Sequence, residues 1–157
     1  MKTFEWRITD DLKNMTINDL NDNPEIYGFL KLSFNSLQFG YIIEDDEFEG
    51  NNDILYWVRK ALKCVIAMKN HKNFSQQLFS SNLVNINVEY GNPIVVKAVN
   101  NQTDEIYNQE MIDFMDLKEY VLDFTNSFLA EIEGINADLL ESEEIKKIII
   151  LKNESIN

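Results

Sequence analysis

Residues 30–43 carry the pattern that most constrains the fold, an alternation of apolar and polar side chains with one interruption. The alternation runs over residues 30–34 and 37–43, and Asn35-Ser36 lies between the two halves. A period of two places the apolar side chains of a strand on one face of a sheet. Asn tolerates the positive φ that a two-residue hairpin turn requires. The segment therefore predicts a β-hairpin with one buried face.

A second hairpin follows along the chain. Residues 85–90 alternate in the same way, Gly91-Asn92 fits a type II′ turn, and residues 93–99 return with the proline at the start of the strand. Weaker patterns predict a first strand over residues 4–9 and a further short strand within 106–114. Together these segments predict about five strands.

Three helices are predicted from apolar residues at spacings of three and four. The first runs from about Ile54 to Asn70 and is capped by Asn52 or Asp53. The second opens with a capping box formed by Asp116 and Glu119 and ends at Gly134. The third is capped by Asn136 and runs to about Leu151. Residues 10–26 are predicted to be a long loop that can include one short turn of helix, and residues 73–82 a connector that can include a short turn. The fold class predicted is α+β, an antiparallel sheet of about five strands built from two hairpins, with about three helices packed on it.

The chain has 157 residues, of which 45% are apolar. This is the size of one domain with a hydrophobic core of its own, and no linker or repeat divides residues 1–157. A single cysteine excludes an internal disulfide, no apolar run approaches a membrane span, and the first residues do not resemble a signal peptide. We therefore expect a cytoplasmic protein without a membrane partner.

Charge is distributed unevenly along a chain whose net charge is −13. Residues 1–53 carry 4 basic and 12 acidic side chains, residues 54–99 carry 6 and 1, and residues 100–157 carry 4 and 14. Two interpretations remain open: oppositely charged faces that steer a partner, or a basic middle segment that neutralises its neighbours. Direct nucleic-acid binding is disfavoured, because it needs clustered Lys and Arg.

The densest acidic segment lies between the first hairpin and the first helix. It ends at Gly50 and contains the candidate partner-binding residues Glu44, Asp45, Asp46, Glu47, Phe48 and Glu49. Its carboxylates suit the positive end of the following helix dipole, which is a structural reason for part of the segment. They also suit a basic partner, for which Phe48 is a candidate apolar contact or, alternatively, a residue that packs on the sheet.

The sequence contains few residues for chemistry. There is one histidine, His71, and one cysteine, Cys64, and no phosphate-binding loop, zinc pattern or nucleophile motif. Cys64 lies among apolar residues and is expected to be buried. The acidic segment matches a calcium loop only in part, because the bidentate Glu required at position 12 is replaced by Tyr56. We therefore predict no catalytic residue, no cofactor and no metal.

Four segments of the chain together resemble small bacterial immunity proteins. They are the run from Gly28 to Ser36, Gly40-Tyr41, the acidic segment and the stretch from Asp53 to Val58. These proteins accompany polymorphic or contact-dependent toxins. The resemblance implies a cytoplasmic inhibitor that binds a cognate toxin domain, often a basic nuclease, and blocks its active site. No individual functional residue carries over from it.

The function expected from the sequence is therefore that of a non-catalytic acidic protein that neutralises a basic toxin by tight binding. One alternative is a self-associating regulatory or structural protein, since the run Ile148 to Leu151 is more apolar than an exposed helix should be. Another is a small carboxylate-dependent enzyme, which would need two carboxylates held across a cleft.

Overall fold

A computed structural model describes residues 2–41, 52–78 and 83–157. The chain is α+β, with antiparallel strands throughout. The elements in chain order are β1 (Lys2–Ile8), α1 (Ile17–Asp22), β2 (Tyr27–Phe34), β3 (Leu37–Tyr41), β4 (Asn52–Asp53), α2 (Ile54–Lys69), β5 (Phe74–Gln77), β6 (Val84–Glu89), β7 (Ile94–Asn100), β8 (Ile106–Ile112), α3 (Phe114–Asn136), a 3-10 helix (Ala137–Glu141) and α4 (Glu143–Ile156).

The described residues contain eight strands in two four-stranded sheets, where a single sheet of about five strands was predicted. The first sheet has the order β1-β2-β3, with β4 also paired to β2. The second has the order β5-β6-β7-β8. The predicted hairpins are both present as β2–β3 and β6–β7, but the helix α2 separates them along the chain and each belongs to its own sheet.

The first hairpin follows the prediction closely. Leu30, Leu32 and Phe34 are buried, and the turn residue Asn35 has a φ of 55°. Positive φ is the conformation that the two-residue turn requires. The predicted first strand is also confirmed, as β1 pairs along the whole of β2 from Ile8↔Gly28 to Lys2↔Phe34.

Two predicted details of the strands are wrong, and the short helical turn allowed within residues 10–26 is present as a longer helix. Residues 74–77 form strand β5 rather than a connector, because Phe74 and Gln76 pair with β6. The second hairpin has no type II′ turn: pairing ends at Glu89↔Val95, and Gly91 lacks the positive φ of that turn. Residues 10–26 hold a defined helix, α1, closed by a capping box at Thr16.

Three predicted helix boundaries are corrected. α3 begins after Asp113, whose side chain accepts a hydrogen bond from Met115 N at 2.8 Å, whereas Asp116 lies inside its first turn. Gly134 does not end α3, which continues to Asn136 and passes into the 3-10 helix. The last α-helix therefore begins after Ser142, where the prediction placed its cap at Asn136.

Helix α2 lies at the centre of the fold. Eight of its residues are buried, and it contacts β2, β5, α3 and α4. The aromatic side chains of β1 and β2 pack on α3: Trp6 lies 5.4 Å from Phe124 between ring centroids, and Phe34 lies 4.6 Å from Tyr120. One core cluster joins both sheets and the helices.

Candidate partner-binding surface

The predicted partner-binding residues lie outside the described residues. Glu44, Asp45, Asp46, Glu47, Phe48 and Glu49 belong to the stretch 42–51, as does the end of the predicted second strand at Ile43. The structure describes the residues on either side of this stretch, and they fix where the chain leaves and rejoins the first sheet.

The stretch 42–51 departs from and returns to the same edge of β2. Tyr41, the last residue of β3, pairs with Leu30, and Asn52, the first residue of β4, pairs with Gly28. Two residues along a strand span about 6.6 Å. The two ends of the acidic stretch are therefore held close together at one position of the sheet edge.

An acidic concavity lies next to this position. Its volume is about 460 Å³, and five of its eight lining residues are acidic. The residues that line the acidic concavity are Asp10, Asp11, Met15, Asp19, Asp22, Asn23, Glu25 and Tyr27. None of them carries a positive charge, so the concavity has a net negative potential.

Tyr27 connects the acidic concavity to the point where the chain rejoins the sheet. It lines the concavity and pairs in register with Asp53. A hydrogen bond to the Glu25 carboxylate raises the pKa of the Tyr27 hydroxyl, and the nearby charges of Asp53 and Asp10 raise it further. Carboxylates from three separate segments therefore act on one phenol group.

Several of these carboxylates also hold the local backbone. Asp10 Oδ2 accepts from Tyr27 N at 2.8 Å, and Asp19 Oδ2 accepts from Thr16 N at 2.8 Å in the capping box of α1. The bond from the Thr16 backbone lowers the pKa of Asp19. Both bonds hold these carboxylates in place, and the bond from Thr16 favours the ionised form of Asp19, which is exposed.

Asp53 closes the other side of the junction. Its Oδ1 caps α2 by accepting from Tyr56 N at 3.2 Å, and it also accepts from Ile26 N at 3.2 Å. Burial raises the pKa of this carboxyl despite both hydrogen bonds. Asp53 therefore fixes the start of α2 against the segment that carries Glu25.

The sequence prediction missed the acidic concavity because it treated residues 10–26 as a loop. The local signal was present in Thr16 and Asp19, which are spaced as a capping box. The remaining information is not local, since the bond between Asp10 and Tyr27 joins residues 17 positions apart.

The basic residues of the middle segment are partly neutralised within the fold. Arg59 Nη1 lies 3.2 Å from Glu144 Oε2, and Lys97 Nζ lies 2.7 Å from Glu89 Oε1. Lys69 donates to the backbone carbonyl of Glu154 at 2.9 Å. Only the Arg59 contact reaches an acidic residue of a neighbouring segment, because Glu89 belongs to the middle segment itself and the Glu154 carbonyl is neutral. Both interpretations of the charge distribution therefore stay open.

The two candidate chemical side chains are placed as expected from the sequence. Cys64 is buried, and burial raises the pKa of its thiol to about 12. His71 is exposed at the end of α2 with a φ of 58°, and its ring stacks on Tyr90 at 4.5 Å. Among residues 2–41, 52–78 and 83–157, no group of three or more His, Cys, Asp or Glu side chains is arranged to hold a metal ion.

An apolar cavity of about 60 Å³ lies between the two sheets and the helices α2 and α3. Phe39, Trp57, Phe74 and Phe124 are among its lining residues. Its volume is far below the roughly 300–1,000 Å³ of ordinary ligand pockets. It is therefore a small void of the core.

Comparison of the chain with known protein families, with curated proteins and with solved structures found no match. Within the described part of the chain, no helix has both the length and the apolar character needed to cross a membrane.

Proposed function

We propose that this protein is a non-catalytic acidic binding protein that neutralises a cognate bacterial toxin in the cytoplasm by tight protein–protein binding. The proposed partner is a basic domain of the nuclease type. The observation that carries this proposal is the acidic concavity beside the point where the acidic stretch 42–51 joins the first sheet. The acidic concavity therefore lies on the side of the first sheet where the chain enters and leaves the stretch 42–51.

The electrostatic consequence is fast association with a cationic protein. Complementary charge raises association rates from about 10⁵–10⁶ to as much as about 10⁸–10⁹ M⁻¹s⁻¹ at low salt. A nuclease that binds a polyanion carries a positive surface at its active site. An acidic protein that docks on this surface competes directly with the nucleic acid, so that inhibition requires no catalysis.

Salt-dependent kinetics test this proposal. Stopped-flow mixing with the purified toxin domain should give an association rate that falls as salt is raised. The Asp22→Lys/Glu25→Lys variant and the Asp45→Lys/Asp46→Lys/Glu47→Lys variant should each associate at least about tenfold more slowly. Dissociation should change less, because steering charges act mainly on encounter.

The matched control changes the same charge elsewhere. Asp123 and Glu154 are exposed residues on α3 and α4 that do not line the acidic concavity. An Asp123→Lys/Glu154→Lys variant has the same net charge as Asp22→Lys/Glu25→Lys. If the two variants slow association equally, only total charge matters, and this surface is not the interface.

Self-association is the second candidate function, and one observation favours it. In the apolar run of α4, Ile148 is buried, but Ile150 is 63% exposed and Ile149 is 37% exposed. Light scattering decides between the two states. A dimer that becomes a monomer in an Ile150→Ser variant would support this alternative, and a monomer of the unchanged protein would exclude it.

A further inference from the structure

Strand β8 forms one edge of the second sheet. β8 pairs with β7 on one side, and no other described strand pairs with it. The register is regular from Ala98↔Asn108 to Ile94↔Ile112, and a bulge precedes it between Ala98 and Val99. An edge of this kind presents a row of backbone N–H and C=O groups to an incoming strand.

Exposed apolar side chains accompany this edge. Tyr107 is 52% exposed, Met111 is 62% exposed, and Met115 in the first turn of α3 is 53% exposed. Met111 lies on the sheet face opposite the buried Ile112. The other face is occupied, because Glu110 accepts hydrogen bonds from Ser36 at the tip of the first hairpin.

Acidic side chains predominate around this edge. The nearest basic residue on the adjacent strand, Lys97, pairs in register with Gln109 and forms an ion pair with Glu89. Residues 98–117 contain five acidic side chains and no Lys, Arg or His. They also contain no proline, and natural edge strands commonly use Pro or Lys to prevent pairing. The five acidic residues are Asp104, Glu105, Glu110, Asp113 and Asp116.

We infer that β8 is a docking edge for an extended, basic strand of a partner protein. Backbone hydrogen bonds would form along Asn108–Ile112, Met111 and Tyr107 would contact apolar side chains of the added strand, and its Lys or Arg residues would face the acidic rim. This mode is β-strand addition. The inference goes beyond the proposed function, because β8 contacts Ser36 after the end of β2, whereas the acidic concavity lies at Tyr27, where β2 begins. The choice of a toxin as the partner rests on the proposed function.

Charge complementarity selects this occupant over a second copy of the chain. Two copies paired through β8 would bring together two segments that each carry five negative charges and no positive charge. Like charges placed opposite each other across paired strands are destabilising. A strand rich in Lys or Arg replaces this repulsion with attraction.

A synthetic peptide tests the inference without requiring the toxin. The probe is a peptide of about nine residues in which lysine alternates with valine and threonine, long enough to span the edge. The control peptide has the same charge but is N-methylated at two consecutive central residues. Because successive N–H groups of an extended peptide point to opposite sides, neither side of the control peptide offers a full row of N–H groups. Binding to ¹⁵N-labelled protein is followed by amide chemical shifts up to about 1 mM peptide.

The expected result is saturable binding of the unmethylated peptide, with the largest shifts at residues 108–112, and at least about tenfold weaker binding of the methylated one. Met111→Ser should weaken binding, whereas Ile150→Ser, which changes a residue of nearly equal exposure on α4, should not. Equal binding of both peptides, binding of neither, or a dimer that Met111→Ser disrupts would each overturn the inference. A failed toxin capture with successful peptide binding would remove only the proposed function.

Discussion

Replacing Asp53 tests how the acidic side of the fold is held together. Asp53 Oδ1 is the acceptor for both Tyr56 N, at the start of α2, and Ile26 N, and Ile26 is fully buried. Asp53→Ala removes a helix cap, at a cost of about 1 kcal/mol. It also leaves the buried Ile26 N–H unpaired, at a cost of about 1–3 kcal/mol. We therefore expect the free energy of unfolding to fall by about 2–4 kcal/mol.

Asp53→Asn is the matched control, because the amide keeps an oxygen that can accept both bonds. Its free energy of unfolding should stay within about 1 kcal/mol of the unchanged protein at neutral pH. Urea unfolding followed by the fluorescence of the buried Trp57 measures both variants. With a slope of about 2 kcal/mol/M, the middle of the usual range, the Ala variant should lower the urea midpoint by about 1–2 M. Equal midpoints for Ala and Asn would refute the reasoning.

The pH dependence supplies an independent check on Asp53. Burial raises the pKa of this carboxyl in the folded state, so folding favours its protonated form. The stabilisation is complete below the unfolded pKa of about 3.9 and is lost as pH rises through the higher native pKa. The free energy of unfolding of Asp53→Asn, minus that of the unchanged protein, should therefore increase as pH rises from the unfolded pKa through the native pKa of Asp53. A flat or falling difference would contradict the assignment.

Two substitutions and one chemical modification test the packing further. A Cβ added in Gly28→Ala would lie 2.2 Å from Arg7 O and 2.7 Å from Ile54 Cδ1, so thermal unfolding should show a loss of about 3 kcal/mol or more. A Cβ added at Gly134, inside α3, would meet no atom within 4 Å beyond its own helix backbone and chain neighbours, so Gly134→Ala should instead stabilise the protein by about 0.5–1 kcal/mol. A loss of stability at Gly134 as large as that at Gly28 would contradict the packing argument. Cys64, whose burial raises its pKa to about 12, should react with a thiol reagent at pH 8 only after unfolding; rapid reaction in the native state would show that it is accessible.

The local elements of the fold were predictable because their signals are local. The alternation around Asn35-Ser36 predicted both strands and the turn, and the apolar spacing from Ile54 predicted α2 to within one residue of its end at Lys69. Strand β5 was not predictable in this way. Its residues Ser75, Gln76 and Gln77 have little strand propensity, and their pairing with β6 makes them a strand.

The arrangement of elements depends on contacts that no short pattern records. Asp113 and Asp116 both precede apolar helical residues, and the end of β8 at Ile112 decides that the helix begins after the first. Gly134 is tolerated within α3 because Ile132 beside it is fully buried and helps to hold that turn. The acidic concavity likewise forms only when folding brings Asp10 and Tyr27, which are 17 positions apart in the sequence, into contact.

The central claim is that this acidic protein captures and neutralises a basic toxin. The most direct measurement is co-purification of the tagged protein from its native host, with mass spectrometry directed first at the product of the adjacent upstream gene. The account predicts a stoichiometric complex with a basic toxin domain, disrupted by high salt and weakened in the Asp22→Lys/Glu25→Lys variant. The absence of a complex in a strain shown to express that neighbour would contradict the claim.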